Sequence, residues 1–157
     1  MKKIICMLLI LCLSLPLTGC SDLLDGAALL SLVLLGNDSA KKADVFEFVR
    51  NQEDELMAAI RNRDYSAFEN KGFIHEISTD RRGVEFYCGG AGIGSGTSYV
   101  GFYYTPDDDM TAVWCAPSSS DSLIPCGDGY EWREPDGDNR YYTEHICGNF
   151  YYYKASF

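Results

Sequence analysis

The sequence predicts an α+β domain in which one amphipathic helix packs against a four- to five-stranded antiparallel meander sheet. Three observations lead to this fold class. Apolar residues recur at helical spacing from Asp44 to about Arg63. Beyond Phe68 the chain is rich in aromatic and β-branched residues that alternate with polar ones. Short turn signals separate these segments, and short connections are typical of antiparallel neighbours.

The helix is predicted from a single apolar stripe, with charged residues on the opposite side. Five apolar side chains share the stripe: Val45, Phe48, Val49, Leu56 and Ile60. Because such a stripe must be buried, we expect it to lie on the sheet that follows. A closed small barrel is the alternative to an open sheet.

Strands are predicted at residues 73–78, 84–88, 98–104, 111–116 and 149–157. Between the second and third of them lies a glycine-rich run at residues 89–96. This run matches neither of the glycine spacings that bind phosphate, and a strand follows it where a phosphate loop would lead into a helix. We therefore interpret it as a hairpin connection.

Alternation places aromatic side chains on both faces of the predicted sheet. Tyr99 and Tyr103 point one way, whereas Phe102 and Tyr104 point the other. One helix covers only one face. The second face is therefore expected to be an exposed aromatic surface, a partner interface, the docking place of residues 27–35, or a layer of half-buried tyrosines with hydrated hydroxyls.

The N-terminal residues have the pattern of a secretory signal. Two lysines precede an uncharged apolar run from Ile4 to Leu17, which is too short for a stable membrane span. Leu17-Thr18-Gly19-Cys20 then resembles the lipobox of bacterial lipoprotein precursors. This resemblance implies cleavage after Gly19, a diacylglycerol and palmitate on Cys20, and a lipid-anchored location on the extracytoplasmic face of the cell membrane. The remainder resembles small uncharacterised lipoproteins of Gram-positive gut bacteria, a likeness that carries no function.

Three parts are predicted along the chain: a signal peptide at 1–19, a lipid-anchored segment and linker at 20–43, and one extracytoplasmic domain at 44–157. The apolar residues 26–36 are expected to lie along the membrane surface or to cover part of the domain. The formal charge is −10 at pH 7, and it becomes −12 without residues 1–19, which contain two lysines and no acid. Nucleic acid is not an expected partner, since phosphate contacts need a basic surface.

Four cysteines remain in the predicted domain: Cys88, Cys115, Cys126 and Cys147. An even number in an exported domain predicts two disulfides, for which three pairings are open. We favour Cys88 with Cys147, which would tie an inner strand to the last one. Pairing Cys115 with Cys126 would close a loop that has little else to hold it. No two of these residues have C-x-x-C spacing, so neither a zinc site nor another metal or cofactor is predicted.

No catalytic motif is recognisable in the sequence. The serine-hydrolase elbow is missing, and an acid pair such as Glu85 and Glu131 has no specificity on its own. We therefore expect a non-catalytic binding or interaction module at the cell surface, with a glycan or an envelope protein as ligand. Aromatic residues that stack on sugars are the candidates: Trp114, Trp132, Tyr103 and Tyr104. The alternatives are an envelope hydrolase that uses acidic residues near the glycine-rich run, and a purely structural surface protein.

Overall fold

The structure is a computed structural model that describes residues 40–92 and 96–157. Within them, two helices precede seven strands: α1 Lys42–Asn51, α2 Glu53–Asn62, β1 Glu76–Thr79, β2 Val84–Ala91, β3 Ser98–Tyr104, β4 Ile124–Cys126, β5 Gly129–Arg133, β6 Arg140–Cys147 and β7 Phe150–Ser156. The α+β class and the antiparallel sheet are confirmed, but the predicted strand number and the single helix are wrong. The predicted signal peptide, Cys20 and residues 26–36 lie outside the described residues.

The predicted helix is divided at Gln52, whose backbone has φ −120° and ψ 18° and so ends α1 and begins α2. The apolar stripe is nevertheless correct at its central positions. Val45, Val49 and Leu56 are completely buried, and the other two members pack at the border of the same core. Helix α1 begins at Lys42, just inside the segment predicted to be a linker.

The strands form one antiparallel sheet in the order β1-β2-β3-β7-β6-β5-β4. The predicted meander therefore describes each half, β1 to β3 and β4 to β7, and pairing of β3 with β7 joins the halves. Residues 111–116, which we expect to be a strand, lie instead in the connection from β3 to β4. Strands β4, β5 and β6 are missing from the prediction, because charged residues such as Glu144 and His145 interrupt the apolar alternation of the longest one.

The glycine-rich run connects β2 to β3, and these strands pair antiparallel, so the hairpin interpretation is confirmed. The register shifts between Tyr87 and Gly90, beside Gly89 with φ +103°. Gly92 has φ +124°, and a Cβ there would lie 2.1 Å from the carbonyl oxygen of Gly96. These glycines therefore permit a bulge and a tight backbone approach.

The two helices cover one face of the sheet, which we call the helix face. Phe86 and Phe102 stack there with ring centroids 4.5 Å apart, and Phe102 also contacts Phe150. All three are completely buried, and burying each ring contributes about 1.5–3 kcal/mol to stability. An ion pair between Lys42 of α1 and the buried Glu144 of β6 further joins helix to sheet.

The long connection between β3 and β4, residues 105–123, covers the opposite face, which we call the loop face. Its residues Ala112, Val113, Cys115 and Leu123 pack against tyrosines of the sheet. The buried tyrosines are Tyr103, Tyr141, Tyr151 and Tyr153. The expected half-buried, hydrated tyrosine layer is therefore incorrect for these four residues, since a segment of the domain itself excludes water from them.

The four cysteines are free thiols, and the described residues contain no disulfide. Cys88 is on β2 and Cys147 ends β6, with β3 and β7 between them. Three strand intervals correspond to about 14 Å, whereas disulfides join Cα atoms less than about 7 Å apart. The favoured pairing of Cys88 with Cys147 therefore does not fit this fold. The pairing of Cys115 with Cys126 is not formed either: Cys115 is a buried residue of the connection and packs against the sheet, and Cys126 is on the edge strand β4.

Candidate ligand-binding groove

The four aromatic residues predicted to bind a ligand lie in different environments. Trp114 is 57% exposed, whereas Tyr103 is 1% exposed and thus almost completely closed to solvent. Trp132 is partly buried beside the loop-face tyrosines, and Tyr104 packs on Phe150 at the helix face. The structure therefore does not bring the four together, and Trp114 is the one of them that is mostly open to solvent.

Trp114 forms one wall of a groove of about 270 Å³. Strands β1, β2 and β3 form its floor, because their alternate side chains point to the loop face. The register places Ser78 opposite Glu85 and Glu76 opposite Tyr87. The lining residues are Glu76, Ser78, Glu85, Tyr87, Tyr99 and Trp114. The groove thus combines three aromatic rings with two carboxylates and a hydroxyl group.

Two other rings hold the Trp114 indole in place. Phe157 stacks on it with ring centroids 5.6 Å apart and 25° between the planes, and Tyr99 meets it at 5.5 Å and 81°. Phe157 is itself fixed by two backbone hydrogen bonds with Thr97, of 3.0 and 3.2 Å. The indole is therefore oriented by the protein, which lowers the entropy cost of binding a ligand against it.

Glu85 is the most strongly held polar group of the groove. Its carboxylate accepts hydrogen bonds from the Tyr153 hydroxyl at 2.5 Å and from the Ser78 hydroxyl at 3.2 Å. Burial nevertheless raises the pKa of Glu85 above its ordinary value, and the negative charge of Glu76 adds to this effect. Burial therefore disfavours the ionised carboxylate in the groove, although two hydroxyl groups donate to it.

Gly101 allows Tyr153 to reach Glu85. On β3 it is paired with Tyr87 of β2 on one side and with Tyr153 of β7 on the other. A Cβ at this position would lie 2.6 Å from Cε1 of Tyr153 and 2.5 Å from the backbone oxygen of Phe86. Because Gly101 has no side chain, the Tyr153 ring has room to cross β3.

Hydroxyl groups beneath the connection fix the segment that carries Trp114. Tyr103 and Tyr141 both donate to the backbone oxygen of Met110, at 2.8 and 2.9 Å. The Tyr103 hydroxyl also lies 3.0 Å from that of Thr143, and burial raises its pKa, so it stays protonated. Tyr103 is thus a structural residue that holds the wall of the groove.

The thiols of Cys88, Cys115 and Cys147 are poor nucleophiles in this fold. Burial raises the pKa of Cys88 and Cys115, and burial together with Glu53 raises the pKa of Cys147 to about 11. His145 donates its Nε2 proton to the Gly148 carbonyl at 2.7 Å. Residues 40–92 and 96–157 contain no group of three or more His, Cys, Asp or Glu side chains that could hold a metal ion.

A second groove, of about 670 Å³, lies at the helix face beside the β1–β2 turn. Tyr104 lines it together with Tyr65, Arg63 and Arg81. A smaller cavity of about 180 Å³ adjoins both grooves. It shares Ser78, Glu85 and Trp114 with the first, and Thr79, Asp80, Gly83 and Val84 with the second. The three cavities therefore follow one another around the turn.

Sequence reasoning missed the groove residues Tyr87 and Tyr99 and gave Glu85 no weight. Alternation along β2 and β3 is the signal that could have placed them on one face, but the neighbouring Trp114 comes from a connection whose path has no sequence signature.

Among the described residues, no helix has the length and apolar character needed to cross a membrane. No protein-family model, curated protein or solved structure matches the chain.

Proposed function

We propose that this protein is a cell-surface lipoprotein whose domain binds glycans without catalysing a reaction. The observation that carries the proposal is the exposed Trp114 ring, which Phe157 and Tyr99 hold above a groove with carboxylate and hydroxyl groups. An open aromatic face can stack on the apolar face of a sugar ring, and nearby carboxylates accept hydrogen bonds from its hydroxyls. The lipid anchor is supported by the sequence Leu17-Thr18-Gly19-Cys20.

The arrangement of the cavities supports an elongated ligand. The Trp114 groove continues through the smaller cavity to the groove lined by Tyr104 and Tyr65. A linear saccharide of several units could occupy such a course, whereas a single sugar would fill one end of it. The remote Trp132 has no part in this arrangement.

The proposal is tested by calorimetric titration of the full chain with soluble cell-wall fragments and plant polysaccharides. Calorimetry is preferred because replacing Trp114 also removes a fluorophore. For a glycan that binds, Trp114→Ala should weaken affinity at least tenfold, which corresponds to about 1.4 kcal/mol. Trp132→Ala is the matched control and should bind like the original protein.

Two results would contradict the proposal. If Trp132→Ala lost affinity and Trp114→Ala kept it, the groove would not be the binding site. If the folded protein bound no glycan of the panel, an envelope protein would become the favoured partner, and capture from the native envelope would be the next experiment.

A glycan hydrolase is a second candidate, because the pKa of Glu85 is raised inside a groove. Glu76 and Glu85 are diagonal neighbours across β1 and β2, and such residues lie about 7–8 Å apart. Inverting glycosidases have carboxyl groups about 6.5–9.5 Å apart. The hydrogen bonds that Tyr153 and Ser78 donate to Glu85 favour a fixed carboxylate over a proton donor. Release of reducing ends from a bound oligosaccharide, abolished by Glu85→Gln, would support the hydrolase and contradict the binding module.

A further inference from the structure

The Trp114 groove is acidic and has no basic lining residue. Its charged groups are Glu76 and Glu85, and its remaining polar side chain is Ser78. The ion pairs of the described residues involve other carboxylates, those of Glu144, Asp80 and Glu131. Glu76 and Glu85 therefore face the groove without a cation from the described part of the chain.

Aromatic rings surround these two carboxylates. Tyr87, Tyr99 and Trp114 line the same groove. The ring centroid of Tyr99 lies 6.2 Å from that of Tyr87 and 5.5 Å from that of Trp114. The faces of aromatic rings attract cations, and carboxylates form charge-assisted hydrogen bonds with ammonium groups. The groove thus presents two kinds of group that both favour a positively charged organic ligand.

A divalent metal ion fits the groove less well than an ammonium group does. Calcium takes six to eight oxygen ligands, and the carboxylates here are two. One of them, Glu85, already accepts hydrogen bonds from Tyr153 and Ser78. Aromatic faces do not replace the missing oxygen ligands, whereas they do stabilise an organic cation.

We propose that the groove selects saccharides that carry a free amino group, such as glucosamine units, over their neutral N-acetylated counterparts. The ammonium group would lie between Glu85 and Glu76 while the sugar ring stacks on Trp114. This inference rests on the proposed glycan-binding function and names its ligand class. A cation at this place would also offset the burial and the repulsion from Glu76 that raise the pKa of Glu85.

The test compares calorimetric titrations of the full chain with the tetramer of glucosamine and the tetramer of N-acetylglucosamine, at a slightly acidic pH that keeps the amines charged. The glucosamine tetramer should bind at least tenfold more tightly. Glu85→Gln should remove this preference, so that the two tetramers bind within about threefold of each other. Added salt should weaken binding of the charged tetramer only, because it screens the ionic contacts.

Glu131→Gln is the matched control, since it removes the same charge from a carboxylate that already pairs with Arg133. Thermal unfolding followed by circular dichroism shows whether each variant is folded. Should Glu85→Gln not fold, Glu76→Gln tests the same charge at an exposed position of the groove. Either groove variant is expected to reduce the preference for the charged tetramer.

The outcomes separate the inference from the function on which it rests. If both tetramers bound equally and Glu85→Gln and Glu76→Gln changed neither affinity, the selection of amines would be wrong while glycan binding stood. If neither tetramer and no glycan of the wider panel bound to the folded protein, the glycan-binding function would be wrong, and the inference would fail with it.

Discussion

The two faces of the sheet are both aromatic, yet they are covered in different ways. At the helix face, α1 and α2 lie on phenylalanine rings such as Phe102, which have no polar group to satisfy. At the loop face, residues 105–123 lie on tyrosines whose hydroxyls donate to the covering segment. The difference follows from the cover: a helix satisfies its own backbone hydrogen bonds, whereas an irregular segment needs partners.

This comparison assigns different roles to the two faces. The helix face carries the larger of the two clusters of buried apolar residues. The loop face uses directional hydrogen bonds, such as those from Tyr103 and Tyr141 to Met110, to hold a segment that does not cover the whole sheet. The uncovered part beside β1 and β2 is the groove of Trp114. Stability is thus expected to depend mainly on packing at the helix face, and contact of a ligand with Trp114 on the loop face.

The largest effect on stability is expected at the helix face. Phe102→Ala removes a completely buried ring that packs on Phe86 and Phe150, and it should lower the free energy of unfolding by about 3–5 kcal/mol. Urea unfolding of the full chain measures this change. Tyr130→Ala, at a side chain 38% exposed on β5, is the control and should cost much less. A loss below about 1 kcal/mol for Phe102→Ala would contradict the assigned role of the helix face.

A smaller effect is expected from removing one hydroxyl at the loop face. Tyr103→Phe loses the bonds to Met110 and Thr143, each worth about 0.5–1.5 kcal/mol. Hydrogen exchange should become faster in residues 105–123 and stay unchanged in α1 and α2, because the loss is confined to one face. Tyr104→Phe is the control, since the described residues give the Tyr104 hydroxyl no hydrogen bond. Equal acceleration in helices and connection would show that the two faces do not act separately.

The smallest effect, and one that depends on pH, is expected from Glu85→Gln. Because the pKa of Glu85 is raised in the folded state, its contribution to stability is fully present below the ordinary glutamate pKa of about 4.3 and is lost as pH rises through the folded value. Glu85→Gln cannot ionise at this position and therefore does not lose this stability as pH rises. Its free energy of unfolding, measured with urea over this pH range, should therefore increase relative to the original protein as pH rises.

Ser78→Ala removes a hydrogen bond to the same carboxylate and keeps the charge, so it serves as the control. That variant should keep a pH dependence of the same sign as the original protein, because Glu85 still titrates and loses a hydrogen bond that lowers its pKa. A difference between Glu85→Gln and the original protein that stayed constant with pH would mean that Glu85 has an ordinary pKa in the folded state.

Local patterns determined much of this fold from the sequence alone. Apolar spacing located the helical residues Val45, Val49 and Leu56, and turn chemistry identified the glycine-rich hairpin. Both features depend on residues close together in the chain, where period and backbone geometry act directly. The predictions for Cys20 and the lipid anchor rest on the same kind of local pattern and remain predictions.

The tertiary structure alone decided how the halves of the sheet meet and what covers the loop face. Pairing of β3 with β7 joins segments about fifty residues apart, and it places Gly101 where the Tyr153 ring can cross to Glu85. The path of residues 105–123 then brings Trp114 beside Tyr99. Such contacts depend on burial and packing between distant segments, and therefore have no signature in any one stretch of sequence.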